Sequence, residues 1–258
     1  MRRFLVIIIF LFCLTGCISK GERLVVKKLN ILVQTDNKTD GLYLVGDKYI
    51  YRGQKPNNYI KFNDQLFRIV SFMEDGRIKV KASNINLEDT IPFDVENKND
   101  WEKSSLRKYL NDNYYNSLSE KSKSLIISHD WEIGEITNEV YEKVLIGKFD
   151  LLHKNEEKKK KEDNIGLLTL SDYSSSLLNR ECLMNNKGCP NNYIYDEGIS
   201  WTLNTHNEKE IWIINYATGF SVIEGTNYTN FNIEPVFYLK SGLTLSGNGT
   251  IEKPFVIE

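Results

Sequence analysis

Two apolar arms around one turn constrain this chain more than any other stretch. Gln65-Leu-Phe-Arg-Ile-Val-Ser-Phe72 and Arg77-Ile-Lys-Val-Lys81 flank the turn residues Glu74-Asp-Gly76. In the second arm Ile78 and Val80 alternate with Arg77, Lys79 and Lys81. Successive strand residues point to opposite faces, so the pattern predicts an antiparallel hairpin with one buried face and one wet face. A second hairpin is expected where Leu42-Tyr-Leu-Val45 and Tyr49-Ile-Tyr51 flank Gly46-Asp47. Towards the C-terminus, Trp201-Thr-Leu203, Ile211–Tyr216, Phe220–Ile223, Pro235–Leu239 and Pro254–Ile257 read as strands separated by Gly, Asn and Thr clusters. Ala217-Thr-Gly219 suits a hairpin turn between two of them. Ile165–Leu170 reads as a further, buried strand.

Between these strand-rich ends the period changes. Trp101, Leu106, Tyr109, Leu110 and Tyr114 recur near every 3.6 residues, with Asn99 or Asp100 placed to cap the helix. A second helix is expected after Ser117 or Ser119, using Leu125, Ile126 and Ile127, and a third from Thr137 to Ile146. Ser171-Asp-Tyr-Ser-Ser reads as a capped helix start. The run 153–164, His-Lys-Asn-Glu-Glu-Lys-Lys-Lys-Lys-Glu-Asp-Asn, carries balanced charge and predicts a solvated, mobile loop rather than a basic patch.

The first seventeen residues speak about compartment. Arg2 and Arg3 precede an apolar run, Phe4–Leu14, that is too short to span a bilayer and ends on Leu14-Thr15-Gly16-Cys17. This layout resembles a bacterial lipoprotein signal with its lipobox. The resemblance implies cleavage between Gly16 and Cys17 and a diacylglyceryl group on the Cys17 sulfur, with further acylation by a palmitate-like chain. Two or more acyl chains hold a protein stably at a membrane where one does not. The expected organisation is then a signal peptide over 1–16, a lipidated tether over 17–40 and one globular domain over 41–258. Localisation is expected at the extracellular face of the cell membrane. In that oxidising compartment the remaining pair, Cys182 and Cys189, reads as one disulfide. A formal net charge of −2 gives no general attraction to nucleic acid.

Several segments also match a known family in order. Tyr59-Ile-Lys-Phe-Asn-Asp-Gln-Leu-Phe-Arg-Ile-Val70, WEKSSLRKYLNDNYYNSLSEKSK (Trp101–Lys123), Ile165–Tyr173, Trp201-Thr-Leu203, Glu234-Pro-Val-Phe-Tyr-Leu-Lys240 and Gly247–Val256 resemble domain-of-unknown-function family 6273. Surface proteins and lipoproteins of low-GC Gram-positive bacteria carry that domain. The chain departs from it at Glu234-Pro235-Val236, where the family has an Arg-Pro-Val sequence, so any ligand role of that Arg does not carry over. The closing strands are similar to C-type-lectin-like and formylglycine-generating-enzyme-like folds. The resemblance implies an α+β fold: a single C-type-lectin-like domain of antiparallel strands, with two or three helices in the middle and a strand-rich C-terminal half.

No catalytic motif stands out. Neither G-x-S-x-G nor H-E-x-x-H occurs, and a Cys182–Cys189 bridge removes a thiol nucleophile. His129 is expected near a helix end and His153 at the rim of the charged loop. His206, in a loop after the Trp201 strand, is the best-placed histidine; a metal on Cys182 and Cys189 would need two more ligands and His206 is the only plausible one, so no metal or cofactor is expected. Aromatic and Asn-rich stretches such as Asn191-Asn-Tyr193, Trp212–Tyr216 and Thr226–Phe231 suit stacking on a sugar or peptide. The expected function is therefore non-catalytic binding of an extracellular glycan, peptide or protein. Trp201, His206, Trp212, Tyr216 and Tyr228 are the candidate contacts. The alternatives are a carboxylate-based hydrolase, which needs converging polar groups and shifted acids in a deep pocket, and a surface scaffold, which needs neither.

Overall fold

A computed structural model describes residues 29, 32–36, 38–83, 91–184, 189, 192–194, 198–215, 219–229 and 231–258. The strands are β1 (Gly41–Val45), β2 (Lys48–Arg52), β3 (Tyr59–Phe62), β4 (Gln65–Phe72) and β5 (Ile78–Ala82), then β6 (Ile126–Ile127), β7 (His129–Glu132) and β8 (Lys160–Asp163). The C-terminal part adds β9 (Ile199–Thr205), β10 (Glu210–Asn215), β11 (Gly219–Glu224), β12 (Val236–Leu239), β13 (Leu245–Ser246) and β14 (Phe255–Ile257). The helices are α1 (Ser105–Lys108), α2 (Tyr115–Ser117), α3 (Glu120–Lys123), α4 (Asn138–Leu145), α5 (Asp150–Glu156), α6 (Leu170–Ser176) and α7 (Glu181–Met184). A 3₁₀ turn, Trp101–Lys103, precedes α1, and a π-helical stretch, Tyr109–Tyr114, joins α1 to α2. The class is α+β and strand-rich, as expected. Among the described residues no helix is long and apolar enough to cross a membrane.

The main sheet runs β13-β14-β3-β4-β5-β12-β6, and the β1–β2 hairpin joins it through β2 against β4. Both expected hairpins form, β1 with β2 and β4 with β5. Asn63 and Asp64 take φ of 48° and 59°, the left-handed pair that closes a tight two-residue turn between β3 and β4. The β4–β5 ladder skips Val70, because Ile69 pairs with Val80 and Ser71 with Lys79. That extra residue is a bulge, which bends β4 so that one edge serves both β3 and β2. A three-stranded sheet, β11-β10-β9, and a two-stranded ribbon, β7-β8, complete the strands.

One apolar core joins the layers. Phe62, Phe67 and Phe237 meet with ring centroids 5.0 to 5.6 Å apart. Phe93 and Phe231 flank Trp201 at 5.6 and 4.6 Å. Truncating a buried aromatic of this kind costs about 3–5 kcal/mol.

Several local expectations are corrected. Lys79 and Lys81 do not lie on a wet face: all of β5 is buried. It sits between β4 and β12, and its second face receives Asp172 of α6 and Glu234. The run 153–164 is not a loop but the end of α5 followed by β8. It folds because two of its acids go inward. Asp163 accepts from Arg107 and from Trp101 Nε1, and Glu156 is fully buried. Ile126 and Ile127 form a strand against β12 instead of helix. Ile165–Leu170 is mostly irregular, touching the sheet through a single bridge, Gly166 to Val236. The tether expected up to residue 40 is partly docked: Leu29 is buried, and Val33 bridges to Leu42. Helix α4 forms as expected, capped by Thr137. Helix α6 starts two residues earlier than expected, on a Thr169–Asp172 capping box.

Candidate functional site

Charged side chains converge where β5, the β7–β8 ribbon, α5 and α6 meet. Lys79 Nζ donates to both carboxylate oxygens of Asp172 at 2.7 Å and lies over the rings of Trp131 and Tyr238. Burial alone would push the Lys79 ammonium down, but the charge and hydrogen bond of Asp172, together with Tyr238 and Glu132, outweigh it, so the group sits above the ordinary lysine value. Beside this pair, Glu156 at the end of α5 is completely buried. Its carboxylate accepts from the Ser171 backbone N–H at 2.9 Å and from the Ser171 hydroxyl. Burial pushes the Glu156 carboxyl up to about 7; the Ser171 hydrogen bonds oppose the shift, and the charges of Asp172 and Glu132 add to it.

Glu132, the last residue of β7, reaches His153 of α5, with His153 Nδ1 3.1 Å from Glu132 Oε2. The hydrogen bond to Glu132 holds the imidazole above its usual value. Burial would raise the Glu132 carboxyl, yet the His153 contact leaves it below the ordinary range. A Cβ on Gly134 would lie 2.0 Å from the Asn155 carbonyl oxygen, so only glycine lets the chain after β7 approach the end of α5 this closely. Gly134 N–H donates to the Glu156 carbonyl at 2.9 Å across that contact. Glu132, His153 and Glu156 each point one donor atom into a space where all three lie within 4.8 Å of one another.

Two of the surface clefts bring polar and aromatic groups together. One, of about 400 Å³, is lined by Arg77, Ser128, His129, Glu132, Lys160 and Glu162. His129 stands at the start of β7, not at a helix end. Its ring lies 3.9 Å from the Tyr238 ring, and its Nδ1 is 3.1 Å from Arg77 Nη1. Burial, then the charges of Lys79 and Arg77, hold His129 down at about 4. The other cleft, of about 420 Å³, has Arg68, Tyr59, Lys55, Asn57, Tyr193 and Ile251 in its walls. The Arg68 guanidinium lies 3.9 Å from the Tyr59 ring centroid and 5.2 Å from that of Tyr193. Arg68 Nε donates to Asn58 Oδ1 at 2.6 Å, which fixes the guanidinium plane.

The contacts expected from sequence are not brought together. Trp201 and Trp212 are only 2% and 1% exposed, so neither offers a face to a ligand. Trp212 Nε1 donates to the Ile136 carbonyl, which makes it a strut between β10 and the segment before α4. His206 faces a carboxylate, but as a structural clamp. Its Nδ1 meets Glu210 at 2.8 Å, its Nε2 meets Asn138 at 3.0 Å, and both nitrogens are thereby occupied. Tyr228 is 43% exposed and stacks parallel on Phe231. Tyr216 and Cys17 lie outside the described residues. Cys182 and Cys189 form the disulfide. Of the aromatic stretches, Asn192-Tyr193 does reach a cleft, where it meets Tyr59 and Arg68. Those last two lie within the Tyr59–Val70 segment, which carries part of the family resemblance but offered no signal that singled out a contact.

A model described as Domain of unknown function (DUF6273) matches residues 76–241, well over half of the chain. The chain belongs to this family. No curated protein and no solved structure matches it. The DUF6273 match takes in the whole charged junction around Glu156 and the clefted face at His129. It leaves outside Tyr59 and Arg68 of the second cleft, together with β1 to β4, β13 and β14.

Proposed function

We propose that this DUF6273 protein is a lipid-anchored module at the extracellular face of the cell membrane that binds an extracellular glycan in the Arg68 cleft. The lipobox Leu14-Thr15-Gly16-Cys17 supports the anchor. The observation that carries the binding reading is the cleft of about 420 Å³ in which exposed Gln54, Lys55 and Asn57 surround the half-buried Tyr59 ring, with the buried Arg68 guanidinium 3.9 Å from that ring's centroid and holding it in place. A tyrosine ring fixed from beneath presents an apolar face and a hydroxyl, which suits stacking on a sugar. Gln54, Lys55 and Asn57 bring flexible donors to the rim. The C-type-lectin-like character read from the sequence belongs to this proposal, since a fold alone does not fix function.

A hydrolase reading asks for the shifted acid and the cleft in one place. Glu156 carries the shift but lines neither cleft, and Glu132 lines a cleft but has its carboxyl held low. The geometry therefore favours binding. The test is an array of cell-wall glycans, with peptides alongside, probed with the mature chain. Lys55→Ala and Tyr59→Ala, both outside the core, are expected to weaken the captured glycan about tenfold with unchanged circular dichroism. Equal binding by those variants, or capture of peptides alone, overturns the reading. In cells, Cys17→Ala is expected to release the protein from the membrane fraction and leave the precursor uncut; retention at mature size sinks the anchor.

A further inference from the structure

We propose that Glu132, His153 and Glu156 form a binding site for a divalent transition cation, Zn²⁺ or Mn²⁺. The three donors come from two elements that the fold forces together. His153 and Glu156 are three apart on α5 and so share one helix face, while Glu132 closes the set from the end of β7. Their donor atoms lie within 4.8 Å of one another, and the His153–Glu132 contact is already at 3.1 Å. Donors around a four-coordinate cation at about 2.0–2.2 Å sit slightly further apart than that contact, so small side-chain rotations suffice.

A second observation points the same way. Glu156 is wholly buried, yet no Lys or Arg forms an ion pair with it among the described residues. Lys79, whose charge acts on Glu132, is committed to Asp172. Burying a carboxylate without a counter-charge is unfavourable, whereas a cation between Glu156 and Glu132 supplies the missing charge. Ser171 already orients the Glu156 carboxylate through its N–H and hydroxyl, the role that outer hydrogen bonds play around metal ligands. The imidazole in the set selects against Mg²⁺ and Ca²⁺, which take oxygen donors, and favours Zn²⁺, while the two carboxylates leave room for Mn²⁺. His153 keeps 42% of its side chain exposed, so the ion has a path in and a position left for water. Bound there, the ion ties α5 to the β7–β8 ribbon. The site is separate from the Arg68 cleft and stands or falls independently of it.

The chain contains three histidines, which makes the test direct. Full-length mature protein, stripped with a chelator, is titrated with Zn²⁺ while the imidazole ¹⁵N resonances are followed by NMR. The His153 signals alone are expected to shift, with saturation at one equivalent. Perturbation of His129 or His206 instead, or no saturable change, overturns the site. By calorimetry, His153→Gln and Glu156→Gln are each expected to weaken Zn²⁺ at least tenfold, and Ser171→Ala by about tenfold. His206→Gln is expected to bind like the parent. Parent-like affinity in a folded His153→Gln protein refutes the proposal, as does stronger binding of Mg²⁺ than of Zn²⁺.

Discussion

The residues that most shape this molecule are charged ones placed where apolar residues were expected. Lys79 and Lys81 alternate with Ile78 and Val80 as surface lysines do, yet both are buried, paired with Asp172 and Glu234 at 2.7 Å. Removing one member of a buried pair strands the other, which costs about 3–5 kcal/mol. Lys79→Met is therefore expected to lower stability by that amount in urea unfolding, because Asp172 stays buried beside Glu156. His129 gives a pH signature with a definite sign. Its folded value, about 4, lies below the ordinary 6.5 because burial and the charges of Lys79, Arg77 and Lys160 outweigh Glu132. As pH falls below 6.5 the unfolded chain takes up the proton first, so this stability is lost between about pH 6.5 and 4 and changes no further below that. After allowing for partial solvent screening, the loss is about 2 kcal/mol. Unfolding curves of the parent and of His129→Gln are expected to converge over that window as the parent loses its advantage. Parallel curves would show that the ring is solvated.

At the scale of elements, the chain shows which signals travel in a sequence and which do not. Both N-terminal hairpins, α4 with its Thr137 cap, and the strands β9 to β12 and β14 were legible, because period and turn residues are local. The second face of β5 was not legible. Its partners Asp172 and Glu234 stand 93 and 153 positions away, and alternation reports only that two faces differ. The charged strand β8 failed for the same reason. Its Asp163 is anchored by Arg107, 56 residues earlier, with Arg107 Nη2 at 2.6 Å, and by Trp101 Nε1 at 3.2 Å. The aromatic candidates failed in the other direction: Trp201 and Trp212 serve as core, and composition alone does not separate a buried stack from an exposed one. If Asp163 is what makes β8 a strand, Asp163→Ala is expected to cost about 2–4 kcal/mol by orphaning Arg107 and the indole N–H. Hydrogen exchange is expected to show the β7–β8 ribbon opening before the main sheet. Uniform loss of protection across both would mean that the ribbon has no separate stability.

For the whole molecule, the question is where the folding unit ends. The DUF6273 match covers 76–241, but the main sheet does not stop there. Strand β5 pairs with β4 on one side and β12 on the other, and β4, β3 and β2 all precede residue 76. The last strand, β14, lies beyond residue 241 and pairs in parallel with β3. Cutting at the match boundaries would strip β5 down to one neighbour and remove Phe62 and Phe67 from the aromatic trio with Phe237. Losing two buried aromatics at about 3–5 kcal/mol each already approaches the 5–15 kcal/mol by which a typical domain is stable, before any ladder hydrogen bonds are counted. The fragment 76–241 is thus expected to give an unfolded far-UV spectrum and collapsed amide dispersion, while 29–258 is expected to fold with sharp, dispersed signals. Leu29 sets that start, because it is buried against the core and Val33 just after it bridges to β1. A well-folded 76–241 fragment would make β1 to β4 an appendage and move the centre of the protein into the family segment. A chain starting at 41 that is as stable as one starting at 29 would return residues 29–40 to the tether.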